Sequence, residues 1–153
     1  MTKTYEKSIE VDQPIRTVYN QWTQFEEFPK FMEGVEQVKQ LDDTTLRWKA
    51  EIGGQEREWT AKITEQHPDE RVAWRSTEGA TNAGVVTFHK LDPQRTRVML
   101  QLEFDPEGFV EKAGEKLGAV GTRIQGDLER FKTFIEERGS ETGAWRGEVE
   151  QQT

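Results

Sequence analysis

Three patterns in the sequence predict an α+β domain. Apolar and polar residues alternate through the centre of the chain, an apolar stripe of helical spacing runs near the C-terminus, and a shorter helical pattern follows the first strand. Together they predict a curved seven-stranded antiparallel sheet around a long C-terminal helix, with two short helices between strands 1 and 2. A chain of 153 residues is the size of one domain and can bury roughly 70% of its unfolded surface. Only 33% of the residues are hydrophobic, so the five Trp and eight Phe must carry much of the core.

The first strand spans Thr4 to Val11 and ends at Asp12-Gln13-Pro14. Asp12 or Gln13 is placed to cap a helix with Pro14 at its first position. Ile15, Val18, Tyr19 and Trp22 then form one apolar stripe. Thr23 and Glu26 have capping-box spacing and open a second helical segment carrying Phe25, Phe28, Phe31 and Met32, which Pro29 keeps short. The exposed positions of this pair, Glu26, Glu27 and Glu33, are acidic, so it reads as a plug for the sheet and not as a DNA reader.

After Gly34 the pattern becomes that of strands. Val35, Val38 and Leu41 mark one that ends at Asp42-Asp43. Leu46, Trp48, Ala50 and Ile52 alternate with charged residues up to a Gly53-Gly54 turn, and Trp59, Ala61 and Ile63 alternate on the return. Further strands run from Val72 to Ser76, from Ala83 to Leu91 and from Thr96 to Phe104, separated by turns at His67-Pro68-Asp69-Glu70, Glu78-Gly79 and Asp92-Pro93-Gln94. One face is apolar and the other polar, so a helix must cover a single side.

The cover is predicted from about Glu107 to Arg138, where Val110, Ala113, Leu117, Val120, Ile124, Leu128, Phe131 and Ile135 recur at spacings of three and four. Gly114, Gly118, Gly121 and Gly126 interrupt it, and Thr122 with Gln125 repeats the capping-box spacing, so two helices meeting near Gly118 to Gly121 are also compatible. The glycines fit either close packing on the sheet or a hinge over a cavity mouth. The domain is taken to end at residue 138, with residues 139–153, rich in Gly, Ser, Thr and Glu, read as a flexible tail. Trp145 stands out there, as a residue either casually exposed or docked on an apolar groove.

The composition excludes several functions. Without cysteine there are no disulfides, thiol nucleophiles or Cys zinc sites, and two His with scattered carboxylates show no metal-ligand spacing. A net charge of −8 disfavours nucleic acid. The N-terminus has no apolar signal region and no stretch approaches the ~18 residues of a membrane span, so a cytoplasmic location without membrane insertion is expected. Gly53-Gly54 lacks the context of a phosphate loop.

The order of elements, together with the run Trp22-x2-Phe25-x2-Phe28-Pro29-x-Phe31-Met32-x2-Val35-x2-Val38, resembles the START-like (SRPBCC) superfamily. Within it the chain is similar to the polyketide cyclase/dehydrase and lipid-transport branch, which takes in coenzyme Q-binding proteins. The resemblance implies a helix-grip fold with a cavity between sheet and C-terminal helix, and a small hydrophobic or amphipathic ligand such as a lipid, quinone or polyketide. It brings no acid/base signature, so no catalytic residue and no cofactor is expected.

Trp48, Trp59 and Trp74 share the apolar face of three strands, as core or as an aromatic wall for a flat ligand. Arg57 falls in register with Trp59, Ala61 and Ile63, where a cation must snorkel, pair with a carboxylate or meet a polar ligand group. Phe88, Leu100, Leu117, Val120 and Ile124 complete the expected lining. His67 and His89 read as solvated, and Tyr5 and Tyr19 as the other inward polar groups. A binding or carrier protein is the first expectation, a polyketide aromatase/cyclase-type enzyme or a protein-interaction module the alternatives.

Overall fold

The computed structural model describes residues 3–52, 55–79, 82–104 and 117–150, with the side chains of Lys3, Ile52, Gln55, Phe104 and 117–123 outside that description. Its strands are β1 (Lys3–Val11), β2 (Val35–Asp42), β3 (Thr45–Ile52), β4 (Gln55–His67), β5 (Arg71–Gly79), β6 (Asn82–Asp92) and β7 (Arg95–Phe104). They form one antiparallel sheet in the order β1-β7-β6-β5-β4-β3-β2. Helix α1 (Ile15–Trp22) and a 3-10 helix (Phe25–Lys30) lie between β1 and β2, and helix α2 (Leu117–Arg138) follows β7. This is the helix-grip architecture the sequence predicts.

Alternation sets the inner face. Val98 and Leu100 of β7 are buried, as are Val86 and Phe88 of β6 and Ala61 and Ile63 of β4, while their neighbours in sequence face outward or half outward. Register shifts between Thr60 and Ala61, and between Ile63 and Glu65, add bends where β4 meets β5. Leu41 corrects the expectation for β2. Bulges on either side break its alternation, and Leu41 is 59% exposed instead of joining Val38 inside.

The helices depart from their predicted starts. Pro14 is the N-cap of α1 and not its first helical residue, its extended ψ of 149° being incompatible with the helix, and no side chain caps this end. Thr23 does not open the 3-10 helix. Its hydroxyl donates to the Asn20 carbonyl at 2.6 Å and closes α1, while Glu26 accepts a hydrogen bond from the Gln40 amide at 3.0 Å. Helix α2 runs unbroken from Leu117 through Gly121 and Thr122 to Arg138, and the expected junction with an earlier helix lies outside the described residues. The expected helical residues before Leu117, among them Val110 and Ala113, lie outside the described residues.

The solid part of the core forms where α2 meets the aromatic plug. Ile124, Leu128, Phe131 and Ile135 are buried along one stripe. The Phe131 ring packs edge-on against Trp22 at 5.1 Å and Phe31 at 5.2 Å, and Trp22 meets Phe28 at 5.4 Å. Polar ties fix the helix in place, with Arg130 Nε donating to the Phe31 carbonyl at 2.9 Å and Asp12 N donating to Glu136 Oε2 at 2.6 Å.

The segment after α2 also corrects its reading as a flexible tail, since the structure seats it on the domain. Gly139 takes a left-handed φ of 76°, which turns the chain back across α1. Asn20 donates to Glu141 at 2.8 Å, and Gln21 exchanges hydrogen bonds with Thr142 through both amide atoms. Trp145 N donates to Thr23 Oγ1 at 3.1 Å, and its half-buried indole packs against the core of its own chain. Arg146 lies over the Tyr19 ring, bonds Asn20 and pairs with Asp69 at 2.9 Å. Asn20, Gln21 and Thr23 are all buried, so these bonds satisfy polar groups that α1 leaves beneath the segment.

Candidate functional site

At the β3–β4 end the inner face changes character. Trp48 and Trp59 are directly cross-strand, Ala50 faces Arg57, and Leu46 faces Ala61. Direct pairing brings two indoles together, and theirs stack in parallel, 5.6 Å between centroids and 9° between planes. On the same face the pair is flanked by Leu46 with Ala61 on one side and by Ala50 with Arg57 on the other. Ala50, Trp59 and Ala61 form a second buried cluster, and Val35, Trp48 and Trp74 pack against both it and the main core. Phe28, 5.7 Å from Trp48, joins the two.

Trp74 adds the third indole from β5, opposite Ile63 of β4 and Gly84 of β6. Its ring occupies the space a side chain at position 84 would need, since a Cβ there would lie 2.5 Å from Cζ2. Trp59 is 7% exposed, whereas Trp48 and Trp74 are only partly buried. The indole Nε1 of Trp48 is buried without a hydrogen-bond partner among the described residues. Arg57 is half buried on the same face, as its register with Trp59 and Ala61 requires.

The sequence reading overlooked Asn82. It is buried, in phase with Gly84, Val86 and Phe88, and its backbone N–H donates to Ser76 Oγ at 2.9 Å. Its parity with Phe88 is the signal that could have found it. The other expected lining residues divide differently. Phe88, Leu100 and Ile124 are buried in the main core, with Phe88 edge-to-face against Tyr19 at 5.3 Å, and the side chains of Leu117 and Val120 lie outside the described residues. Trp48, Arg57, Trp59 and Trp74 are therefore the predicted residues that the fold brings together.

The inward polar groups expected from the sequence lie elsewhere. Tyr19 is fully buried in the main core, where its hydroxyl accepts from Gln66 Nε2 at 3.1 Å, and burial raises its pKa above the ordinary phenol value. His89 is exposed and bonds Thr87. His67 is not the solvated turn residue expected. It is half buried, between Glu65 and Glu148, and forms with Glu148 and Glu150 a group of metal-capable side chains. A groove of about 360 Å³ beside the 3-10 helix, lined by Glu26, Pro29, Glu36, Gln37, Val38 and Lys39, is a polar surface depression outside the aromatic face.

A seven-stranded antiparallel sheet closed by a C-terminal helix, with short helices after its first strand, defines a START-like helix-grip domain. The chain belongs to the family described as polyketide cyclase / dehydrase and lipid transport, whose profile matches residues 11–133. It is 59% identical over 145 residues to an uncharacterized 17.2 kDa protein of Streptomyces lincolnensis, covering 94% of this chain and 97% of that one. Among solved structures it resembles the ZhuI aromatase/cyclase of Streptomyces sp. R1128, with TM-score 0.74, 19% identity and coverage of 95% and 100%. A START superfamily protein of Mycobacterium smegmatis matches with TM-score 0.68, 17% identity and coverage of 88% and 95%. At these identities the structural likeness concerns the fold. Among the described residues no helix is long and apolar enough to cross a membrane.

Proposed function

We propose that the chain binds a small, flat, apolar or amphipathic molecule at the tryptophan end of its sheet, as a binding or carrier protein. The parallel Trp48–Trp59 stack, flanked by Ala50 and Ala61 at the edge of the main core, is the observation that carries this reading. Aromatic walls with a few polar groups suit such ligands, since the rings supply contact area while one or two donors fix orientation. Trp48 Nε1, which has no partner among the described residues, is a donor suited to an oxygen on the ligand, and half-buried Arg57 lies on the same face. The family description, which includes lipid transport, supports the same class.

An aromatase/cyclase reading draws on the ZhuI likeness, but neither Tyr19 nor His89 lies on the tryptophan cluster to serve as acid or base. Native mass spectrometry of protein purified from its own cells, with titration of 1-anilinonaphthalene-8-sulfonate, tests the binding function. A copurifying small molecule and saturable probe binding that Trp48→Ala and Trp59→Ala abolish are expected. Probe affinity unchanged in both variants would contradict it.

A further inference from the structure

The segment after α2 brings two carboxylates to His67. Val149 pairs with Gln66 through two backbone hydrogen bonds of 2.8 and 2.9 Å, on the part of β4 beyond the start of β3. Val149 and Gln66 are buried, so alternation turns Glu148, Glu150 and His67 to the other side. There the three residues present ligand atoms that all lie within 4.8 Å of one another. His67 Nδ1 is 3.9 Å from Glu148 Oε1. Its other nitrogen, Nε2, is 3.8 Å from Glu65 Oε2. The Glu65 side chain is only 12% exposed and is held by an ion pair with Arg71.

We infer that His67, Glu148 and Glu150 bind a divalent cation of the zinc class, which fastens the C-terminal segment to β4. One imidazole and two carboxylates form a donor set that suits zinc, whereas calcium takes six or more oxygens and magnesium keeps most of its water. Ligand atoms around a four-coordinate zinc stand roughly 3.4 Å apart, so rotation of the exposed carboxylates closes the site. Glu65 supplies the second, independent feature. A metal-bound imidazole generally offers its remaining N–H to a carboxylate, and a nearly buried, anchored one faces Nε2 while Nδ1 faces Glu148. The flanking guanidiniums of Arg71 and Arg146 are engaged by Glu65 and Asp69. Residues 148–150 reach His67 only when the segment is seated, so the cation and the seated segment stabilise each other.

Calorimetric titration of the full chain with zinc chloride tests this, with magnesium chloride as control. One zinc per chain is expected. His67→Asn should abolish the binding, and Glu148→Gln and Glu150→Gln should each weaken it at least tenfold, the minimum expected when a coordinating group is lost. Melting curves without metal confirm that the variants fold. Zinc should also slow proteolysis between residues 139 and 150 in the wild type and not in the double Glu→Gln variant. No binding at about 100 µM zinc, equal affinity in wild type and double variant, or an equal response to magnesium overturns the assignment.

Discussion

The two ends of the inner face use aromatic residues in opposite ways. Where α2 crosses the plug, Trp22, Phe28, Phe31 and Phe131 are at most 3% exposed and meet at 5.1 to 5.5 Å with tilted or edge-on rings. At the β3–β4 end Trp48 and Trp59 lie parallel, Trp48 and Trp74 remain partly open, and Ala50, Ala61, Gly79 and Gly84 stand beside them together with the larger Leu46, Arg57 and Ile63. Large side chains interlocked with large ones make a solid core, and large ones set among small ones make a surface for something else. In the proposed reading one sheet carries both a stability region and a recognition region, with Phe28 touching each.

Substitutions should separate the two ends. Phe131→Ala leaves a cavity among fully buried rings and is expected to cost about 3–5 kcal/mol in urea unfolding. Trp48→Ala, at a partly open site, should cost less than half as much while removing probe binding. Equal losses would erase the distinction. Truncation after Gly139 removes the hydrogen bonds that Glu141, Thr142, Arg146 and Val149 make with buried Asn20, Gln21 and Gln66 and should cost several kcal/mol, at about 1 kcal/mol per hydrogen bond, leaving the tryptophan stack intact. Chemical denaturation and the indole NMR signals check the two halves of that statement.

Gly84→Ala sharpens the comparison within the tryptophan end. The new Cβ would collide with the Trp74 ring, so roughly 1–3 kcal/mol should be lost. The Trp74 signal should move while that of Trp22 stays. The smallest effect is expected at Glu136, beneath the solid end. Burial pushes its pKa up, but bonds from Lys132 and from the Asp12 amide outweigh burial and leave it below the ordinary 4.5. A lowered carboxylate contributes stability that is complete above the unfolded value and is lost as pH falls through the folded one. Glu136→Gln should therefore lower the melting temperature slightly at neutral pH, with the difference from wild type shrinking below pH 4.5.

Period-two alternation located the seven strands because each has one buried face, and it placed Trp48, Arg57, Trp59 and Trp74 together because parity fixes a side chain's face. It failed at Leu41, where bulges shift the phase, and it could not separate Phe88 and Leu100 from the tryptophans, since burial depth along one face depends on which partner lies above. The segment after Gly139 misled by its composition. Its order comes from the polar atoms of Asn20, Gln21 and Thr23, more than a hundred residues away in sequence, and such long-range hydrogen bonds leave no periodic signature. The group of His67, Glu148 and Glu150 was hidden for the same reason, because an antiparallel bridge assembles it.

The five indole N–H groups are built-in reporters spread over the stack, the core and the C-terminal segment. Titration of ¹⁵N-labelled protein with 1-anilinonaphthalene-8-sulfonate, followed through these signals, tests the central claim most directly. Trp48, whose Nε1 has no hydrogen-bond partner among the described residues, should shift most, Trp59 and Trp74 should follow, and Trp22 should stay in place. A titration in which Trp22 moves as far as Trp48, or in which the three stack-end signals do not move, would contradict a recognition region at that end of the sheet.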